Sequence, residues 1–277
     1  MHQSERVREQ RVLFYLVLII PFMIFTSYVL DTIPFINVSW LKMLTQALIL
    51  SVIIRGWLKF VLENNDFKRY FEFEKNGIAK IGTGVIYGLL AALVVVVIDN
   101  LSGLTIRAFN PALLTSNAIK VLLTSIIFFV SESYIEEMVT RGYVLEQFEE
   151  MHYPRLAIIF SSLVFIVVQF LWDNPAVNLL GWFNFYALGF LLGLVYLITK
   201  SKWLCIGFHT AWNLVFTAIF PAELSHTGHF ANYVHMESYS TTFLLLILVA
   251  ILLYRFEKQE IGPDKIEKLN TDSSSIK

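Results

Sequence analysis

Two short stretches hold the residue types that chemistry needs. The first runs from Ser131 to Gly142 and continues an apolar stretch with Glu132, Glu136, Glu137, Thr140 and Arg141. Glu132, Glu136 and Thr140 are spaced i, i+4, i+8, so on a helix they share one face. Glu137 and Arg141 are also four apart, in the acid-first order that favours a helical ion pair. The spacing suggests a division of labour: Arg141 neutralises Glu137, and Glu136 is left facing a cavity as a general base. The plainer alternative is a solvated ion pair at a helix end. The second stretch is Gly207 to Asn213, where His209 and Asn213 sit four apart. Histidine can bind a metal, donate a hydrogen bond or shuttle a proton. Asparagine can offer an amide hydrogen to a developing oxyanion. The plainer alternative is a polar pair that glues two membrane helices together.

Other polar residues read more simply. Cys205, the only cysteine, lies in an apolar run and reads as packing. His226, His229 and His235 fall in one segment whose spacing would permit a metal, but a solvated loop suits them better. Asp99 ends an apolar run and reads as interfacial. Trp172, Trp182, Trp203 and Trp212 read as interface anchors and packing.

The elements that must position these residues are membrane helices. The chain has 277 residues, of which 56% are hydrophobic and 16% charged, and its mean hydropathy is +0.63. That is too little charge to cover a soluble domain of this length. A net charge of -1 gives no reason to expect nucleic acid as a partner. Apolar runs near the length that crosses a bilayer occur at Val12–Leu30, Trp40–Leu62, Gly82–Ile98, Ala118–Tyr143, Leu156–Trp172, Leu179–Ile198, Trp203–Phe220 and Thr241–Phe256. The first follows Arg6, Arg8 and Arg11 but is long for a signal core and has no cleavage site after it, so it reads as a retained helix. Lys42, Arg55 and Lys59 interrupt the second near its ends, where they can snorkel.

The expected fold is therefore an all-α, polytopic bundle of eight transmembrane helices. With the N-terminus inside, only Lys42, Arg107 and Lys120 of the 21 Lys and Arg fall on the outer side. This positive-inside bias gives an N-in/C-in topology. Residues 1–11 form a cytoplasmic tail, 12–256 the transmembrane domain, and 257–277 a polar, serine-rich cytoplasmic tail expected to be disordered. The segment Glu63–Lys80, with Tyr70, Phe71 and Phe73, is expected either to lie along the inner headgroups or to form a plain solvated loop. Membrane lipids are the expected surroundings.

Glu136-Glu137-x-x-x-Arg141 resembles the E-E-x-x-x-R motif of the CPBP intramembrane proteases, also called the Abi or CAAX-protease family, and His209-x-x-x-Asn213 resembles that family's later H-x-x-x-N motif. Order, spacing and helical context agree across a core of about residues 118–220. Gly189 and Gly193 precede the second motif, and a short basic turn leads into it. The resemblance implies hydrolysis of a peptide bond in a hydrophobic or lipid-anchored peptide, within or near the membrane. It implies Glu136 as the residue that activates water, Glu137 and Arg141 as its brace, and His209 and Asn213 as stabilisers. It leaves the cofactor open, with a divalent zinc ion as one option. It also implies a multi-pass protein of the cell membrane, of a kind typical of bacteria.

One position departs from the family. Its middle motif, F-x-x-x-H, is matched here by Phe165 to Gln169, with glutamine in place of the histidine. Glutamine cannot take a proton at neutral pH and is a poor metal ligand. The chain thus reads as a protease that relies on Glu136, or alternatively as an impaired member that works by binding, as an immunity or scaffold protein. A third class, a small-solute transporter using Glu132, Glu136 and Arg141, lacks the internal repeat such folds carry. Helix counting also places Gln169 deeper than Glu136 and His209, so the three meet only if their helices start or end at different levels. His152 is the nearest other histidine, and it falls in a loop.

Overall fold

The computed structural model describes residues 72–103, 105–150, 152–172, 178–221 and 238–260, with scattered helical residues between 41 and 56. Among these there is no β-strand. Helix α1 (Gly77–Ser102) leads through a loop to a 3-10 turn (Pro111–Leu114). Helix α2 (Ala118–Val139) passes through a π-helical turn (Thr140–Leu145) into the short α3 (Glu146–Glu150). Then come α4 (Pro154–Trp172), α5 (Leu179–Thr199) and α6 (Lys202–Leu214). A second π-turn (Val215–Ile219) follows α6, and α7 (Tyr239–Glu260) closes the described chain.

The apolar runs of the sequence become these helices because hydrocarbon offers the backbone no other partner for its polar groups. Among the described residues four helices are long and apolar enough to cross a membrane: α1, the 32-residue run Ala118–Glu149, α5 and α7. Large apolar side chains such as Ile86, Leu90 and Val97 of α1 are exposed, as a lipid-facing surface requires. The protein is an all-α membrane helix bundle. The expected helix Val12–Leu30 lies outside the described residues, as do much of Trp40–Leu62 and the histidines 226, 229 and 235. The other six runs coincide with helices to within a few residues. α1 starts at Gly77, inside the segment expected along the headgroups, and α7 continues to Glu260, past the expected start of the tail.

Local signals set the ends near the site. Asn178 caps α5 by accepting a hydrogen bond from the Gly181 amide at 2.9 Å. Lys200, left-handed at φ 52°, stops α5, and Ser201 Oγ caps α6 by accepting from the Leu204 amide. Ser201 and Lys202, which open α6, are both buried, while Lys200 just before them is exposed.

Among the described helices the most extensive pairing is α1 against α6. It depends on glycine. A Cβ added to Gly84 would lie 2.1 Å from the Leu204 carbonyl oxygen, one on Gly88 2.3 Å from that of Phe208, and one on Gly207 2.2 Å from that of Ile81. Gly84-x-x-x-Gly88 is thus a small-residue face that lets two membrane helices meet backbone to backbone. α4 packs on α5, and α5 on α7, around Phe165, Leu188, Leu192 and Leu194. Trp212 is fully buried, stacked on Phe208 and edge-on to Phe216, so it is a core residue rather than an interface anchor.

Candidate functional site

The polar face of α2 points into the bundle. Glu136, Glu137, Thr140 and Arg141 are all fully buried. Arg141 Nη1 donates to Glu137 Oε1 at 3.0 Å and to Thr140 Oγ1 at 2.6 Å, while Nη2 donates to the Gly189 carbonyl of α5 at 2.7 Å. The guanidinium also lies over the Phe165 ring, 5.0 Å from its centroid. Gly189 makes this reach practical, because a side chain there would press on Phe165 and Ser162 at 3.2 Å. The ion pair is therefore a buried brace and not a solvated helix end.

The brace continues to α6. His209 Nδ1 lies 3.0 Å from Glu137 Oε1, and its ring packs 5.5 Å from that of Phe165. With the proton on Nδ1, where Glu137 accepts it, Nε2 presents its lone pair to Glu136 Oε2 at 3.7 Å. That separation is too long for a hydrogen bond, but one water can bond to both groups. Asn213, one turn on, donates from Nδ2 to Glu132 Oε2 at 3.0 Å.

Gln169 meets this cluster. Its Nε2 donates to Glu136 Oε2 at 2.6 Å. Glu136 is thus held by a neighbour from α4. Glu136 lies thirteen positions before Glu149 at the end of the run Ala118–Glu149, Gln169 fifteen after Pro154 at the start of α4, and His209 seven after Lys202 at the start of α6, so the three meet although they stand at different distances from the ends of their helices.

Both motif helices change pitch beside the site. The π-turns begin at Thr140, just after Glu136 and Glu137, and at Val215, just after Asn213. Single π-turns recur at functional sites, where the extra residue rotates the next turn of helix relative to the one before it. Thr140 Oγ1 donates back to the Glu136 carbonyl at 2.6 Å, which helps the helix leave the α pitch there.

Comparison with known families identifies the segment that holds this cluster. Residues 116–215 match the model of the Rce1-like family, described as type II CAAX prenyl endopeptidase Rce1-like. This segment is CAAX-protease-like. It spans α2 to the end of α6, a little over a third of the chain, and holds every residue of the buried cluster. Neither a curated protein nor a solved structure matches the chain.

The CAAX-protease-like cluster offers a metal little. Among the described residues no three of His, Cys, Asp and Glu converge as ligands. The nearest donors are Glu136, His209 Nε2 and the amide of Gln169, and Glu137 is already tied to Arg141 and His209. A zinc site wants three good nitrogen, sulfur or carboxylate ligands, and these residues do not supply them. His152 is exposed on the turn before α4, while the cluster is buried.

A groove of about 440 Å³ lies between the helical residues near 44–48, α1, α2 and α6, and none of the cluster's own residues lines it. Its lining is apolar apart from Ser131, Tyr134, Trp203 and Thr210. Ser131 and Thr210 are the sequence neighbours of Glu132 and His209.

Some structural residues escaped the sequence reading. Asp99, near the end of α1, has partners inside the protein. It is fully buried, receives Arg107 Nε at 2.7 Å on Oδ2 and Ser238 Oγ at 2.7 Å on Oδ1, and joins α1 to the start of α7. Arg107 lies 4.8 Å over the ring of Phe216 in the second π-turn, and burial pulls its guanidinium below the ordinary arginine pKa. The Gly189 carbonyl gives no signal in sequence. Gly84-x-x-x-Gly88 did give one, since it is a recognisable helix-pairing pattern.

Proposed function

We propose that the chain is an intramembrane endopeptidase of the CAAX type, with Glu136 as the base that activates water. The observation that carries this reading is the convergence of Glu136, Gln169 and His209 in one buried cluster, at 2.6 and 3.7 Å. Gln169 fixes the carboxylate of Glu136. A water bonded to Glu136 and to His209 Nε2 is aimed by both. As its oxygen attacks the peptide carbonyl, Glu136 takes its proton and returns it to the departing amine. Asn213 donates an amide hydrogen to the oxyanion. Glu137 holds the His209 tautomer, and Arg141 balances the Glu137 charge, so Glu136 keeps the acid–base role to itself.

The substrate in this reading is a hydrophobic or lipid-anchored peptide, approached from the cytoplasmic side of a cell membrane. The apolar groove along α2 and α6 supports an apolar chain as its occupant. The eight-span, N-in/C-in topology belongs to the same proposal, and accessibility of single cysteines at each end tests it.

The test is cleavage of internally quenched prenylated and hydrophobic peptides by the purified chain in detergent. Glu136→Ala is expected to lower turnover by about 10²–10⁴-fold with unchanged melting. Cleavage that survives Glu136→Ala would refute the assignment.

A second reading is favoured by one observation. Gln169, which can carry no proton, occupies Glu136 Oε2 where the family has histidine. In that reading the chain binds such peptides without cutting them. Silence in the parent with activity in Gln169→His would support it.

A further inference from the structure

Glu132 has no place in the division of labour above, yet it is buried at 3% exposure. It sits one turn before Glu136 on the same helix face, and a carboxylate in such a place is costly. Its Oε2 accepts from Asn213 Nδ2 at 3.0 Å. A carboxylate accepts and does not donate, whereas a side-chain amide has a donor end and an acceptor end of nearly equal shape. An acceptor beside Asn213 therefore selects which end faces which way. Of the amide's two N–H bonds, one is spent on Glu132, and the direction of the other is then fixed. Asn213 is, at 9%, more exposed than Glu136, Glu137, Arg141 or His209.

We propose that Glu132 is a positioning residue for hydrolysis: it anchors the Asn213 amide so that its second N–H stands ready for the oxyanion. The assignment rests on the hydrolase reading above. It predicts a specific pattern, because in this role Glu132 works through Asn213 and as an acceptor.

The experiment measures kcat and KM for the full chain in detergent, on a quenched hydrophobic peptide that the parent cleaves. The variants are Glu132→Ala, Glu132→Met, Glu132→Gln, Asn213→Ala and the double variant Glu132→Ala/Asn213→Ala. Glu132→Ala is expected to lower kcat about 100-fold with KM within about twofold. Glu132→Met gives the same loss while refilling the space, which covers the case in which the alanine variant does not fold. Glu132→Gln, whose amide oxygen still accepts, keeps kcat within about threefold of the parent. The double variant falls no further than Asn213→Ala, as two members of one device must. Additive losses, a glutamine variant as slow as alanine, or an alanine variant as fast as the parent would each overturn the assignment while leaving Glu136 as the base. A parent that cleaves nothing in the peptide set would overturn the hydrolase reading, and this one with it.

Discussion

Removing the guanidinium of Arg141 is the sharpest test of the buried brace. Arg141→Ala deletes hydrogen bonds to Glu137, Thr140 and the Gly189 carbonyl, at 3.0, 2.6 and 2.7 Å, and leaves the fully buried Glu137 without its cation. Breaking a buried ion pair from one side costs about 3–5 kcal/mol. At about 2–4 °C per kcal/mol for a domain of this order of size, melting should fall by roughly 6–20 °C. Arg141→Lys keeps the charge but not the planar fork. One ammonium cannot serve Glu137 on its own helix and Gly189 on α5 with the same geometry, and the stacking over Phe165 is lost. One hydrogen bond forgone costs about 1–2 kcal/mol, or roughly 2–8 °C on the same scale. The assay is the melting of detergent-solubilised protein, read by the monodisperse fraction after heating. Adding Glu137→Gln to Arg141→Ala should recover at least half of the loss, because the stranded charge is gone. Equal melting of the alanine and lysine variants, or no recovery in the double variant, would refute the account of Arg141 as the counter-charge of Glu137.

Other perturbations separate packing from chemistry. Gly88→Leu should abolish monodisperse expression, since even its Cβ meets the Phe208 carbonyl oxygen at 2.3 Å, whereas Gly82→Leu, with nothing within 4 Å, should express and melt as the parent does. Asp99→Ala strands the buried Arg107 and should cost about 3–5 kcal/mol, read as a lower melting temperature. Asp99→Ala with Arg107→Met should restore most of it, because a buried ion pair exchanged for apolar groups is often neutral.

The sequence by itself determined the bundle and much of the cluster. Apolar runs of membrane length have one stable fate in hydrocarbon, so six helices were readable nearly to their ends. The i, i+4 rule brought out Glu136, Glu137, Arg141, His209 and Asn213, because one turn of helix fixes which neighbours share a face. Spacing within a helix says nothing about which residues of other helices stand opposite. That Gln169 reaches Glu136, that Glu132 holds Asn213, and that Arg141 finds the Gly189 carbonyl were decided by tertiary packing alone. So was the burial of Asp99, whose partners Arg107 and Ser238 come from a loop and from the start of α7. The π-turn through which α2 passes into α3 likewise has no signature in the residue pattern. A helix fixes its own faces locally, but which faces meet is set by how helices settle against one another.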